Sequence, residues 1–88
     1  MSLILYEDPK LTAIKSKLKK ARICKGYTQE SLAELSGVNI KSIAAYEQNP
    51  GKLSSASVNT VFKLCDSLGV DIEDIINYET INLDSKKG

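Results

Sequence analysis

Residues 28–46 have the sequence TQESLAELSGVNIKSIAAY, and they are the most informative part of the chain about its fold. Thr28 is a favoured N-cap for a short helix that ends near Ser36, and Asn39 is a favoured N-cap for a second helix over residues 40–48. Gly37 lies between them and can take a positive φ at little cost. The pattern predicts two short helices that cross steeply and are joined by a turn of three or four residues.

The apolar residues of the same stretch supply the interior that two crossed helices need. Ala33 is small enough to stand where the helices approach most closely. Ser36 departs mildly from this apolar pattern, because an apolar residue is more usual at its position. The side chains predicted to fill the interior are Leu32, Val38, Ile43 and Tyr46.

A first helix is predicted before this pair, over residues 10–25. Its evidence is an apolar stripe at helical spacing, followed by Gly26 in the usual C-terminal position. The stripe consists of Leu11, Ile14, Leu18 and Ala21.

Two more helices are predicted after the pair. Residues 49–51, Asn-Pro-Gly, form a strong break, and residues 52–57 are predicted to be a serine-rich loop anchored by Leu53. Ser57 can cap a helix over residues 58–68, and Asp71 can cap a short fifth helix. The inward side chains of the longer helix are predicted to be Val61, Leu64, Cys65 and Leu68. The sequence therefore predicts a compact all-α five-helix bundle at residues 10–77, with an N-terminal arm at residues 1–9 and a C-terminal tail at residues 78–88.

The composition excludes several classes of protein. The chain of 88 residues has room for one domain, and 42% hydrophobic with 26% charged residues is typical of a soluble globular protein. No apolar run approaches membrane-spanning length and no signal segment is evident, so we expect a cytoplasmic protein that does not contact a membrane. Histidine is absent, and Cys24 and Cys65 lack metal-ligand spacing, so we expect no metal, no cofactor and two buried thiols. The sequence also lacks a glycine-rich loop that could bind phosphate and a convincing pair of acidic residues for catalysis. We therefore expect that the protein is not an enzyme.

Charge is unevenly distributed although the formal net charge is only +1. Residues 10–25 carry seven bases and no acid, whereas residues 71–84 carry five acids and no base. A nearly neutral chain can still present one positive face to phosphates. The alternative is that the lysine-rich helix is simply a solvated face.

The chain resembles the Cro/C1 (XRE) family of helix-turn-helix repressors. The resemblance covers residues 11–76 and includes Gly-Tyr-Thr-Gln at residues 26–29, Tyr-Glu at residues 46–47 and the Leu-Gly-Val and Ile-Glu-Asp-Ile segments at residues 68–70 and 72–75. Such an extended match is specific, whereas a bare helix-turn-helix pattern is weak. The resemblance implies a lambda-repressor-like DNA-binding fold.

The resemblance also implies roles for individual residues. Gln29 matches a position that binds a phosphate, and Arg22 and Glu47 match a pair that forms a structural salt bridge. The positions that face the major groove correspond to Asn39, Ile40, Lys41, Ser42 and Ala45, and those in the loop that touches the DNA backbone to Gln48, Asn49 and Lys52. In physical terms Lys41 can donate to guanine, whereas Ile40 and Ala45 offer only apolar contact, for instance to a thymine methyl. Direct readout is therefore expected to be sparse, with more weight on phosphate contacts and DNA shape.

The leading hypothesis is a sequence-specific transcriptional repressor that binds a palindromic operator in double-stranded DNA as a homodimer. One alternative is an antitoxin-type autorepressor, in which the same domain represses its own operon and another surface binds a toxin. The other alternative is a protein-interaction module that retains the fold without binding DNA. Ile40 and Ala45 on the exposed helix, together with the low net charge, motivate this last hypothesis.

Overall fold

The computed structural model describes residues 14–80, and in this range it is all-helical apart from the turns. The predicted all-α class is therefore confirmed. The structure has five α-helices in this range: α1 (Lys17–Cys24), α2 (Gln29–Ser36), α3 (Ile40–Gln48), α4 (Pro50–Ser54) and α5 (Val58–Leu68). Two single-turn 3-10 helices follow, Ile72–Asp74 and Tyr78–Thr80. None of the helices in this part of the chain is long and apolar enough to cross a membrane. The predicted N-terminal arm at residues 1–9 lies outside the described residues.

Helix α1 begins later than the sequence predicted. Residues 14–16 are not helical, so a continuous helix over residues 10–25 is wrong there, and residues 10–13 lie outside the described range. Ser16 is the N-cap, and its Oγ accepts a hydrogen bond from the Lys19 amide at 3.0 Å. A hydroxyl in this position satisfies one of the free amides of the first turn, which favours a helix start.

Asn77 provides a second reason for the late start. Its Oδ1 accepts from the Lys17 amide at 3.0 Å, and its Nδ2 donates to the Lys15 carbonyl at 2.6 Å. These two backbone groups would bond within the helix if α1 extended further toward the N-terminus. The buried side chain of Asn77 thus joins the end of the described fold to the beginning of α1.

Helix α4 occupies part of the segment predicted to be a loop, and that prediction is wrong. Asn49 is its N-cap, and Asn49 Oδ1 accepts from the Gly51 amide at 3.2 Å. Pro50 is the first helical residue, where its missing N–H costs nothing and its fixed φ suits a helix. Leu53 anchors this short helix in the core, where it is only 1% exposed.

The predicted fifth helix is only one 3-10 turn, Ile72–Asp74. The Asp71 amide donates to Asp74 Oδ2 at 2.9 Å, which closes the turn, and the backbone leaves helical geometry at Ile75. Ile75 and Ile76 are buried beyond it. The structure therefore has five α-helices in the described range, but α4 takes the place of the predicted fifth.

One core holds the helices together. The inward face predicted for α5 is confirmed, because all four of its residues are buried. The thiol prediction is wrong for Cys24, which is exposed, and right for Cys65. Cys24 lies about 200° of helical rotation beyond the buried Arg22, which turns it to the solvent. The buried apolar residues are Leu18, Leu32, Val38, Ile43, Leu53, Val61, Leu64, Cys65, Leu68, Ile75 and Ile76.

Candidate nucleic-acid interface

The start of α2 is fixed by a reciprocal cap. Thr28 Oγ1 accepts from the Ser31 amide at 2.9 Å, and Ser31 Oγ accepts from the Thr28 amide at 2.9 Å. Two amides that would otherwise lack a partner are satisfied in this way. Gln29 and Glu30 therefore occupy a well-defined first turn.

The turn between α2 and α3 depends on Gly37. Its φ is +77°, and its amide donates to the Ala33 carbonyl at 2.9 Å. A Cβ added at Gly37 would meet nothing within 4 Å, so glycine is required by the backbone angle and not by space.

Ser36 has a role in this turn that was not predicted from the sequence. Its side chain is buried, and its Oγ accepts from the Val38 amide at 3.1 Å. An apolar residue at this position would leave a buried amide without an acceptor. The departure at Ser36 thus supports the turn, and a serine two residues before an amide in a tight turn was the available signal.

Helix α3 presents its beginning to the solvent. Asn39 Oδ1 accepts from the Lys41 amide at 2.7 Å, which caps the helix. Ile43 and Glu47 are buried against the bundle, whereas Asn39, Ile40 and Lys41, at the beginning of the helix, are exposed. Two further residues of the predicted contact set are half-buried, Ser42 and Ala45.

A buried ion pair fixes α3 against α1. Arg22 Nε lies 2.6 Å from Glu47 Oε2, and Arg22 Nη2 donates to Glu47 Oε1 at 3.0 Å. Arg22 Nη1 also donates to the Tyr27 carbonyl at 2.8 Å. The side chains of the pair are 11% and 4% exposed, so both charges depend on each other and on these hydrogen bonds.

Gln29 joins the same network from the first turn of α2. Its Nε2 donates to Glu47 Oε1 at 3.0 Å, so Glu47 receives bonds from two helices. One amide hydrogen of Gln29 is committed to this contact, and the second is left over for another acceptor. The arrangement links the beginning of α2 to the end of α3 and sets the angle between them.

The remaining predicted contact residues lie at the end of α3 and at the beginning of α4. Gln48, Asn49 and Lys52 are exposed. Asn49 Oδ1 is committed to capping α4, which leaves its Nδ2 as the available donor. Helix α4 packs against α3, and Lys52 is an exposed lysine on α4.

The comparisons with known proteins agree with this geometry. A family model described as Helix-turn-helix matches residues 18–75, which is more than half of the chain. The chain belongs to the helix-turn-helix family of the XRE (Cro/C1) type. It is also 42% identical over 66 residues to an uncharacterized HTH-type transcriptional regulator of Methanocaldococcus jannaschii, with 75% of this chain and 96% of that protein covered. No solved structure gives a match.

In this helix-turn-helix domain the predicted site residues are concentrated in three short segments. The beginning of α2 contributes Gln29, the first two turns of α3 contribute five residues, and the junction of α3 and α4 contributes the rest. Within residues 14–80 no cluster of cysteines and acids could hold a metal ion.

Proposed function

We propose that this protein is a sequence-specific, DNA-binding transcriptional repressor that places the first turn of α3 in the major groove. The observation that carries the proposal is the two-sided character of α3. Ile43 and Glu47 fasten one face to the bundle, whereas Lys41 is exposed about 160° of helical rotation away from Ile43. Ile40 lies on the same stripe as Ile43 and Glu47 but is 37% exposed, because it stands at the beginning of the helix. A helix held in this way can enter the groove as a rigid element.

Base readout falls to few side chains. Lys41 can donate to the O6 and N7 acceptors of guanine, and Ile40 and Ala45 can pack against a thymine methyl. Because the Oδ1 of Asn39 caps α3, its Nδ2 is the group available to a phosphate or base acceptor. Much of the affinity then comes from contacts that do not distinguish bases.

Phosphate contacts are assigned to residues on both sides of α3. Gln29 lies in the first turn of α2, where the free amides and the helix dipole favour an anion. Gln48, Asn49 and Lys52 follow at the other end, and Lys52 alone among these carries a full positive charge. Glu30 and Glu34 are exposed on α2 and oppose binding, so the balance depends on salt.

The operator is proposed to be palindromic and the protein to bind it as a homodimer. Two copies related by a two-fold axis would place their α3 helices in successive major grooves, about 34 Å apart. A domain of this size covers about one half-site, so pairing also provides the affinity that sparse base contacts lack.

Selection from a random duplex pool tests the proposal. We expect enrichment of an inverted repeat whose half-sites are about one helical turn apart. Lys41→Glu should abolish the enrichment, whereas Lys63→Glu, at an exposed lysine of α5, should leave it intact. A pool that stays random with the native protein would refute DNA reading by this chain.

A protein-interaction module without DNA affinity is the second candidate, since Ile40 is an exposed apolar residue at the beginning of α3. The two functions differ in their response to salt. A DNA-binding protein loses affinity as salt rises, with a slope set by the number of phosphates contacted. Absence of any salt-dependent retention on DNA would favour the module.

A further inference from the structure

Four large apolar side chains are exposed together outside the proposed DNA surface. Val58 and Phe62 are 65% and 50% exposed and stand one turn apart on α5. Ile72 and Tyr78, in the two 3-10 helices, are 38% and 51% exposed. Contiguous apolar surface on a small soluble domain is typical of an interaction site.

These side chains border two adjoining cavities. The smaller, about 210 Å³, has an apolar floor to which Leu53, Val61 and Ile76 contribute. The larger, about 460 Å³, lies beside it, and both cavities are lined by Ile72 and Tyr78. Because the cavities share these two lining residues, we treat them together and call them the α5 groove. None of the residues assigned to DNA contact lines it.

The larger cavity is acidic as well as aromatic. Asp66, Asp71 and Glu73 line it together with the Phe62 and Tyr78 rings. All three of these acidic residues are exposed. Carboxylates beside the faces of aromatic rings make a surface that favours ammonium and guanidinium groups.

The acidic and aromatic surroundings of the larger cavity affect Cys65 and Lys17. The pKa of the Cys65 thiol is raised, first by burial and then by the negative charges of Asp66, Asp71 and Asp74. Lys17 holds its Nζ 5.4 Å from the centre of the Tyr78 ring and donates to the Glu73 carbonyl at 2.5 Å. An ammonium group of the chain itself is thus already bound at the rim.

We propose that the α5 groove binds a basic segment of another protein, with an apolar side chain in the smaller cavity and a lysine or arginine in the larger one. The groove has an apolar half and an acidic half, and a segment of this chemistry complements both. Its length over two cavities and its four exposed apolar side chains suit a polypeptide better than a small cation.

Charge also argues against a second copy of this chain as the occupant. A two-fold contact through the groove brings the same surface of both copies together. Asp66, Asp71 and Glu73 of one copy would then approach their counterparts, and the Lys17 ammonium is already committed to the Glu73 carbonyl. Like charges brought together across an interface oppose association.

Panning a random-peptide display library on the full chain tests the proposal. We expect the enriched peptides to combine a lysine or arginine with a large apolar residue. The best of them, synthesised with a fluorescent label, should bind more weakly as salt rises because rim charges are screened. Failure to enrich any peptide, or enrichment of peptides without a base, would overturn the proposal.

Variants of the groove locate the binding site. The triple variant Asp66→Asn, Asp71→Asn, Glu73→Gln should weaken the labelled peptide about tenfold and flatten its salt dependence, and Asn can still cap at position 71. Phe62→Ala should weaken it about tenfold or more. Matched controls are Glu30→Gln with Glu34→Gln for charge and Leu35→Ala for exposed apolar area, all on α2. Equal loss in the controls would overturn the assignment.

Further measurements distinguish peptide binding in the groove from loss of folding, from an effect on DNA binding and from dimerisation through the groove. Melting curves identify variants that lose binding by unfolding. DNA retention should be unchanged in Phe62→Ala, because this uncharged residue lies outside the proposed DNA surface. Sedimentation equilibrium tests the competing occupant. A dimer that dissociates in Phe62→Glu and excludes the peptide would show that the groove holds a second copy, and would contradict the proposal.

Discussion

Replacing Glu47 by glutamine should destabilise the fold far more than an isosteric change elsewhere on the surface. The carboxylate receives two bonds from Arg22 and one from Gln29, and its side chain is 4% exposed. Glutamine keeps one oxygen as an acceptor, but its amide nitrogen is a donor that faces other donors, so Arg22, which is 11% exposed, loses one of its two bonds and the charge that compensates its own.

The size of the effect follows from the burial of the pair. Removing one partner of a buried ion pair costs about 3 kcal/mol or more, because the other charge remains desolvated. In a domain of this size, about 3 kcal/mol corresponds to a fall in Tm of roughly 12–24 °C. Thermal unfolding followed by circular dichroism measures this shift directly, and urea unfolding gives the free energy of unfolding.

A double-mutant cycle shows whether Arg22 and Glu47 stabilise the fold as a coupled pair or independently of each other. Arg22→Met combined with Glu47→Leu removes both charges and keeps much of the volume, so the double variant should be more stable than either single variant. A fall in Tm of less than about 4 °C in Glu47→Gln, which is about 1 kcal/mol here, would show that the buried charge of Arg22 does not depend on Glu47. Single-variant losses that simply add would show that the two side chains are not coupled.

Three further predictions concern the turn and the DNA surface. Gly37→Ala should lower the free energy of unfolding by about 1–2 kcal/mol, because alanine disfavours the positive φ at this position. Gly37→Asn should lower it less, as urea unfolding would show. Equal losses in the two variants would indicate a steric role for the glycine. Ser36→Ala should cost about 1–2 kcal/mol by leaving the Val38 amide without its acceptor, whereas Ser67→Ala on α5 should be nearly neutral in the same assay. Lys52→Ala should weaken all duplexes about equally and reduce the salt slope of binding by about one, measured by fluorescence anisotropy; loss confined to certain sequences would contradict a phosphate contact.

The capping residues explain why much of the fold could be predicted. Thr28, Asn39 and Ser57 each satisfy a backbone amide with their own side chain, which is a local event that sequence spacing records. Gly37 and Gly69 end their helices with a positive φ for the same local reason.

The helix boundaries that were predicted wrongly depend on contacts between residues distant in sequence, or on local signals that have two interpretations. The late start of α1 depends on Asn77, about sixty residues away, and a periodic stripe cannot indicate such a partner. Asn49 and Pro50 break one helix and start another, and only the break was inferred.

The proposed DNA surface could be predicted from the sequence, whereas the α5 groove could not. The proposed DNA contacts lie within one continuous segment, so a resemblance over that segment assigns them roles. Phe62, Ile72 and Tyr78 of the α5 groove come from separate elements, and their shared exposure emerges only when those elements pack. Val58 and Phe62 also repeat at helical spacing, which by itself favours a core position over a surface one.

The proposal that the first turn of α3 occupies the major groove is tested most directly by the base preferences of Lys41→Ala. Native protein and variant would be titrated against every single-base-pair substitution of the selected operator. We expect the variant to lose discrimination at one base pair in each half-site, by about 1–3 kcal/mol, and to keep the rest of the native profile. A uniform loss at all positions, or an unchanged profile, would contradict it.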